Sequence, residues 1–315
     1  MNEKAVNESP TYSITIPVYN SEASLQELCL RIEQVFDRNG QSYEIVLVDD
    51  SSVDNSWRIM KEIRAKNENV NIIQLMRNYG QHNALLCGFH HVSGKYVITM
   101  DDDLQNPPEE IPKLINALLD TQYDAVIGAL DIKQDSLFKK WGSFFIRYLN
   151  AKIFDKPREL KLSSFRIMTR TLTDEIKVLK TPYPYISGML LSLTTNIANV
   201  TVKHEKRKYG RSTYSFRKLV ELAFNLIINY TSLPLRVLTL VGLLISLVSF
   251  AVGMLSIAIK LANEKIFPGW TSVIVLLSFF NGLLLAILSV MGEYLGRIIG
   301  EVSNKQQFVI REKHV

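Results

Sequence analysis

Short hydrophobic runs alternate with segments of helical periodicity through the first 130 residues. Five runs have the length and β-branched content of buried strands, at 12–18, 44–48, 70–76, 95–100 and 123–130. Between them, residues 23–36 and 108–119 repeat apolar side chains with the period of an amphipathic helix. Strands that alternate with helices form a mostly parallel sheet covered on both faces. The pattern therefore predicts an α/β fold for this half of the chain.

Two uncharged stretches of 23 residues, 237–259 and 270–292, dominate the C-terminal third. As helices each would be about 35 Å long, which is enough to cross the hydrocarbon core of a bilayer. Only ten residues join them, so we expect a transmembrane hairpin with both flanks on one side. The lysines and arginines of those flanks make that side cytoplasmic. The alternative is a pair of buried helices in a soluble protein, although such long helices seldom lack a polar stripe.

Two further segments combine basic residues with apolar faces. Residues 137–154 carry four lysines and arginines and no acid, with aromatic and leucine side chains at helical spacings. Residues 215–230 are polar near their start and then apolar almost all round. Both patterns are typical of helices that lie in the headgroup plane of a membrane, with core-facing amphipathic helices as the alternative.

The two halves of the chain have opposite net charges, and this limits the classes of molecule that each half can bind. Residues 1–136 have a net charge of −10 and the rest have +15, which gives +5 overall. The acidic half suits metal or sugar chemistry, whereas the basic half indicates phosphates of nucleic acid or of an anionic membrane. Continuous apolar faces in the basic segments favour the lipid bilayer, so no nucleic-acid partner is expected. Two separated cysteines exclude a disulfide framework, and the charged N-terminus lacks the apolar core of a signal peptide.

These patterns predict four parts of the chain. A cytoplasmic domain at 1–214 includes the interfacial helix at about 137–154, and a juxtamembrane interfacial helix follows at 215–232. Two transmembrane helices lie within 233–298, and residues 299–315 form a cytoplasmic tail.

Polar clusters follow the predicted strands, at the edge where parallel α/β sheets bind ligands. Neither GxGxxG nor GxxxxGK[ST] occurs in the expected place, so a bound diphosphate would need something other than a glycine-rich loop. Asp101 and Asp103 leave a buried strand two residues apart, so both carboxylates can point to one side. Such oxygens suit Mg²⁺ or Mn²⁺ shared with substrate phosphates. The alternative is that Asp103 or Asn106 caps a helix that begins at Pro107 or Pro108.

Other polar residues give weaker signals. The segment VDDSSVD at 48–54 follows the second strand, where Asp and Ser often cap the next helix. Its carboxylates could instead accept hydrogen bonds from a nucleobase or a ribose. The five histidines show no zinc-binding spacing, so we expect surface or structural roles for them.

Seven motifs together carry a resemblance to a known family. They are IPVYNSE (16–22), VDDSSVD (48–54), MRNYGQHNALLCGF (76–89), DDDLQNPPEEIP (101–112), FRIMTR (165–170), RKYGRSTYSF (207–216) and GEYLGRI (292–298). From about residue 12 to residue 308 the chain resembles family 2 glycosyltransferases of the GT-A fold, in the branch that loads a sugar onto polyprenyl phosphate. The resemblance implies a nucleotide-sugar donor, with UDP favoured, undecaprenyl phosphate as acceptor, and inversion at the anomeric carbon. It also implies a bacterial inner-membrane enzyme with a cytoplasmic catalytic domain, assembled as a homo-oligomer such as a tetramer.

The resemblance also implies roles for individual residues. The nucleoside and its phosphates would contact Pro17, Tyr19, Glu22, Asp50 and Asp102, with Asp49 as an alternative to Asp50. A divalent cation, Mg²⁺ or Mn²⁺, would bind Asp101, Asp103 and Gln105. The lipid phosphate would be held at the membrane surface by Arg166, Arg207, Ser212 and Tyr214. Catalysis would depend on Asp101, Asp103, Arg166 and Arg207. Thr213 stands where the family has lysine, so Arg211 or Lys208 would supply that charge.

Two alternatives remain beside the transferase. A processive polysaccharide synthase of the same superfamily would normally show a QxxRW motif and more helices, and neither occurs in the sequence. A non-catalytic membrane adaptor with a nucleotide-binding fold would tolerate loss of the carboxylates, which are present at each strand end.

Overall fold

The computed structural model divides the chain into two units. It describes residues 10–130, 160–181, 184–205, 269–302 and 306–315, together with eight positions between 237 and 254. The first unit comprises 1–214 with 305–315, and the second comprises 215–304.

Eight strands of the first unit form one sheet. They are β1 (Tyr12–Val18), β2 (Tyr43–Asp49), β3 (Val70–Leu75), β4 (Tyr96–Thr99), β5 (Ala125–Leu130), β6 (Arg166–Thr169), β7 (Ile197–Val202) and β8 (Ile310–His314). The helices of this unit are α1 (Leu25–Asn39), α2 (Ser56–Lys66), α3 (Gln81–Phe89), α4 (Ile111–Thr121), α5 (Arg170–Val178) and α6 (Ile186–Leu193), and a 3-10 turn at Pro108–Glu110 precedes α4.

The order across the sheet is β7-β5-β6-β4-β1-β2-β3-β8. Strands β4, β1, β2 and β3 are parallel neighbours, and β5 pairs in parallel with β7. Strand β6 is inserted antiparallel between β4 and β5, and β8 runs antiparallel along the outer edge of β3. The predicted α/β fold with a mostly parallel sheet is confirmed, and all five predicted strands are present. The two antiparallel strands come from remote parts of the chain.

Both faces of the sheet are covered, which explains the nearly uninterrupted apolar runs of the central strands. Every residue of β1 and of β2 is buried. On one face α1 contributes Leu25, Leu28, Ile32 and Phe36 to a core shared with these strands. On the other face α3, α5 and α6 pack over β3, β4 and β5. Gly88, near the end of α3, lies so close to Thr15 of β1 that a side chain there would clash, so glycine allows α3 to pack closely on the sheet.

The second unit contains one long described helix. Helix α7 (Trp270–Val302) includes the predicted span 270–292 and continues for ten residues beyond it. The eight described positions of the predicted span 237–259 are all helical, and the rest of that span lies outside the described residues. The predicted interfacial helices at 137–154 and 215–232 lie outside them as well. No helix within the described part of the chain meets the length and hydropathy needed to cross a membrane.

Candidate active site

The site lies where the chain reverses its direction of progress across the sheet. The chain passes from β1 to β2 and β3 on one side and returns to β4 on the other side of β1. A crevice forms beyond the carboxyl ends of strands at such a switch point. The two loops that border it are joined directly, because Asp102 Oδ2 accepts hydrogen bonds from the main-chain N–H of Tyr19, at 3.2 Å, and from the Ser21 hydroxyl.

Three loops at this edge contain residues with left-handed backbone conformations. Asn20 has φ of 55°, Ser51 of 60° and Leu104 of 60°. Such conformations are costly for non-glycine residues, above all for a bulky side chain such as leucine, and they cluster at functional sites. The core retains Leu104, whose side chain is 1% exposed, while Asp103 and Gln105 on either side stay partly exposed. Burial of Leu104 thus fixes the turn that presents its polar neighbours.

Side-chain hydrogen bonds connect the loop after β1 to the loop after β2. Asn20 Oδ1 accepts from Val53 N–H at 2.9 Å, and Glu22 Oε2 accepts from both the main-chain and side-chain nitrogens of Asn55 at 2.9 Å. Asp54 in turn accepts from the N–H groups of Glu22 and Ser56, at 3.1 and 3.0 Å. Glu22, predicted to contact the nucleoside, therefore also stabilises the start of α2.

The adjacent carboxylates Asp49 and Asp50 are both buried and both hydrogen-bonded. Asp49, which is 0% exposed, accepts from Ser52 N–H at 3.0 Å and from Gln74 Nε2 at 2.9 Å. Asp50, 3% exposed, accepts from the N–H groups of Tyr79 at 2.7 Å and Gly80 at 2.8 Å. Burial raises the pKa of Asp50 to about 6, against the lowering effect of these two amides. Asp50 thus ties the loop after β3 to the loop after β2.

Of the other predicted nucleoside contacts, Tyr19 is accessible and Pro17 is not. Tyr19 is 47% exposed at the end of β1, so its ring is available to a ligand. Pro17 is buried within β1, opposite Val48 of β2. Its ring therefore contributes to the sheet and only its neighbours after β1 reach the crevice.

The three aspartates after β4 have different surroundings. Asp101 accepts hydrogen bonds from Gln81 Nε2 and Ser164 Oγ, each at 2.6 Å. Asp103 Oδ1 accepts from Gln105 N–H at 3.0 Å. Burial raises the pKa of Asp101, and it raises the pKa of Asp102 to about 6. Neither Asp103 nor Asn106 caps the following turn, whose N-cap is Pro107 without a side-chain cap, so the capping alternative is wrong.

His204, for which a surface or structural role was predicted, reaches this cluster. Its Nε2 atom lies 3.3 Å from Nε2 of Gln105, and Glu205 N–H donates to the Gln105 carbonyl at 2.9 Å. The contact arises because the chain that leaves β7 passes the loop after β4. The partners of Asp101 were not predicted from sequence, because Ser164 is brought there by the pairing of β6 with β4 and Gln81 by the packing of α3 on the sheet.

The donor chemistry of this loop fits a divalent cation. In the described ranges, no three His, Cys, Asp or Glu side chains converge on one metal position. Mg²⁺ in particular is usually held by one or two carboxylates together with substrate phosphates and waters, so a complete protein cage is not needed. Asp103 and Gln105 provide oxygen ligands at the crevice, and adjacent acidic side chains of raised pKa favour a compensating cation.

Arg166 lies inside the fold, whereas the sequence placed it at the membrane surface. The antiparallel insertion of β6 sets Arg166 opposite Thr99 of β4, and its side chain is 2% exposed. Its Nη1 donates to Ser187 Oγ at 3.2 Å, and its Nε has no hydrogen-bond partner among the described residues. Desolvation lowers the pKa of Arg166 to about 10, opposed by the charges of Tyr185 and Asp101. The buried positive charge of the Arg166 guanidinium is therefore close enough to Asp101 to interact with its carboxylate.

The remaining predicted acceptor residues, Arg207, Ser212 and Tyr214, lie outside the described residues. His82, which the sequence left without a role, adjoins Arg166. Burial, aided by the charge of Arg166, lowers the pKa of His82 to about 4, so the imidazole is neutral.

Comparison with known proteins supplies the family context. Residues 13–176 match the model described as Glycosyl transferase family 2. The chain is 36% identical over 305 residues to undecaprenyl-phosphate 4-deoxy-4-formamido-L-arabinose transferase of Klebsiella pneumoniae subsp. pneumoniae, covering 95% of this chain and 92% of the relative. The protein of the same name from Klebsiella pneumoniae strain 342 is 35% identical over the same shares.

A solved structure shares the fold. Glucosyl-3-phosphoglycerate synthase from Mycobacterium tuberculosis, in complex with Mn²⁺, UDP and glucosyl-3-phosphoglycerate, matches with a TM-score of 0.52 at 20% identity. The match covers 70% of this chain and 78% of that one. The chain therefore has a GT-A-like α/β fold with a mostly parallel sheet.

Proposed function

Because the chain belongs to glycosyl transferase family 2, we propose that this glycosyltransferase transfers the sugar of a UDP-sugar donor to undecaprenyl phosphate. The observation that carries the proposal is the extent of the similarity. It spans 95% of the chain and so includes the C-terminal third as well as the nucleotide-binding half. The relative's name states undecaprenyl phosphate as the acceptor. The product would be a lipid-linked sugar for the cell envelope.

A phosphate acceptor does not require a strong general base in the site. A phosphate oxygen is already anionic near neutral pH, so it can attack the anomeric carbon with little help from a general base. A single displacement of this kind inverts the configuration at that carbon. The main requirement is to orient the donor and to offset the charge of the departing diphosphate. In this proposal Asp101, Asp103 and Gln105 would hold, at the switch point, the divalent cation that offsets this charge.

A bound Mg²⁺ or Mn²⁺ would act as a Lewis acid on the diphosphate. Asp101, Asp103 and Gln105 would be its protein ligands. The presence of Mn²⁺ and UDP in the solved neighbour supports this assignment. Tyr19, Glu22 and Asp50 would orient the nucleoside, with Asp102 holding the loop that carries Tyr19. Arg207, Ser212 and Tyr214 would hold the lipid phosphate.

We place the enzyme at the bacterial inner membrane with its catalytic unit in the cytoplasm. Support comes from α7, where apolar side chains are exposed along the length of the helix. They include Val273, Leu277, Phe279, Leu284, Leu288, Leu295 and Ile299. Exposed apolar surface of this extent is unfavourable in water and favours a lipid or protein environment. Assembly as a homo-oligomer remains a prediction from the family resemblance.

The test offers the purified full-length protein undecaprenyl phosphate with Mn²⁺ and one donor at a time. The donors are UDP-hexoses, UDP-amino sugars and GDP-mannose, and the lipid product is identified by mass spectrometry. We expect a lipid-linked sugar from at least one UDP donor, with the activity in the membrane fraction of the cells. No product from any donor would refute the proposal, and activity confined to the soluble fraction would refute the location.

Acidification below about pH 6 should weaken donor use. Asp50 and Asp102 each have a pKa raised to about 6, so both are ionised above that value and take up protons below it. Protonation weakens a carboxylate as an acceptor for the amides of Tyr79, Gly80 and Tyr19. We expect kcat/KM for the donor to fall by about tenfold to 100-fold per pH unit below pH 6, because one or both ionised carboxylates are lost there. A profile that stays flat down to pH 5 would contradict this.

A further inference from the structure

The C-terminal strand β8 covers the outer edge of β3, next to the candidate active site. Pairing runs from Ile72 opposite His314 to Leu75 opposite Ile310, with a register shift between Gln74 and Leu75. The shift leaves Arg311 as the extra residue of a β-bulge. Bulges redirect a side chain and are common beside active sites.

The bulge directs Arg311 to Met76, the first residue of the loop that follows β3. Arg311 Nη2 donates to the Met76 carbonyl at 2.9 Å. Met76 N–H donates to the Val309 carbonyl at 2.8 Å. Both main-chain groups of Met76 are thus held by the C-terminal segment, about 230 residues further along the chain.

The loop that starts at Met76 carries several groups of the donor side. Its Tyr79 and Gly80 amides bind Asp50, and Gly80 has φ of 89°, in the region that favours glycine. Arg77 lies over the Tyr79 ring, with 4.8 Å from its guanidinium carbon to the ring centroid. Gln81, at the start of α3, donates to Asp101 at 2.6 Å. A shift of Met76 would therefore move contacts to two of the predicted donor-site carboxylates.

We propose that Arg311 is a positioning residue for donor binding, acting through the Met76 carbonyl on the loop from Arg77 to Gly80. The inference rests on the proposed function for the identity of the donor. An arginine donor to a carbonyl is a charge-assisted hydrogen bond, stronger than the neutral amide bond beside it. The C-terminal segment then contributes to the active site from its position along the outer edge of β3.

Other contacts hold β8 in place without Arg311. Glu312 forms an ion pair with Lys61 of α2 at 2.9 Å, and the His314 ring packs against Trp57. Gln307 Nε2 donates to the Thr181 carbonyl at 2.8 Å. Replacement of Arg311 should therefore leave the strand attached to the sheet and remove one support of the loop.

The experiment compares Arg311→Met with Lys313→Met in the full-length protein. Lys313 is on the same strand, and its replacement by methionine removes one positive charge, as Arg311→Met does. The Lys313 side chain makes no hydrogen bond or ion pair with any described residue, so the control disturbs no such contact. We expect Arg311→Met to raise the donor KM by about fivefold to tenfold, as loss of one charge-assisted hydrogen bond would. The acceptor KM, kcat and oligomeric state should stay at the wild-type values. Arg311→Lys should recover part of the donor KM, because an ammonium can still donate to the Met76 carbonyl.

Hydrogen exchange of the peptide spanning residues 76–81, measured without ligand, gives a readout that does not depend on activity. It should be faster in Arg311→Met than in Lys313→Met. Unchanged exchange, or faster exchange with an unchanged donor KM, would overturn the positioning role. If the wild-type protein transfers no sugar and does not bind UDP with Mn²⁺, the proposed function fails, and the exchange of this peptide still decides whether Arg311 orders the loop.

Discussion

Asp103→Asn should reduce kcat by about 100-fold to 1,000-fold while the protein folds normally, as expected for loss of a preorganised electrostatic group. Asparagine keeps the size of the side chain and one oxygen, so it can still accept the hydrogen bond from Gln105 N–H that shapes the turn. It loses the negative charge that a divalent cation needs beside the donor diphosphate. Burial of Leu104 continues to fix the loop, so a misfolded site is not the expected cause.

The matched control is Asp120→Asn, an exposed aspartate on α4 away from the crevice, which should keep wild-type kcat. Excess EDTA should abolish activity of the wild-type protein, and Mn²⁺ or Mg²⁺ should restore it. Titration with Mn²⁺ should show weaker activation of Asp103→Asn than of Asp120→Asn. Full wild-type turnover in excess EDTA, or full turnover of Asp103→Asn, would contradict the metal role of this loop.

Arg166→Met should lower kcat by about 100-fold near neutral pH and move the activity to higher pH. Burial raises the pKa of Asp101, and the nearby charge of Arg166 opposes this rise. Removing that charge raises the pKa of Asp101 further, so the carboxyl keeps its proton up to a higher pH than in the wild-type protein. Because the donor site needs the ionised form, activity should recover as the pH is raised. Methionine has similar length and an apolar character suited to the buried position.

Two variants separate this effect from an acceptor role. Arg166→Lys keeps a positive charge behind Asp101 and should retain a profile closer to wild type. Arg207→Met, in the motif predicted to hold the lipid phosphate, should instead raise the acceptor KM with little change in the pH profile. Arg58→Met, at an exposed position of α2, serves as the control for loss of one arginine. A raised acceptor KM for Arg166→Met with an unshifted pH profile would place Arg166 on the lipid phosphate instead.

Local sequence patterns were sufficient for the parallel part of the sheet. The predicted strand 12–18 is β1 residue for residue, and the predicted helix 23–36 corresponds to α1 at Leu25–Asn39. The reason is that each of these elements is buried against the core, so apolar residues recur along it at the spacing of a strand or a helix. The same apolar pattern predicts that Asp101 and Asp103 come directly after a buried strand.

Tertiary structure decided which remote side chains meet those elements. Strands β6 and β8 are short, and their pairing with β4 and β3 joins residues distant in sequence, which no local period encodes. That pairing buries Arg166, brings Ser164 to Asp101 and sets Arg311 against Met76. Likewise, Gln105 meets His204, and Asp50 meets Tyr79, through loops whose course depends on the strands they leave. The sequence thus determined the chemical character of the site, and long-range strand pairing determined the hydrogen-bond partners of its carboxylates.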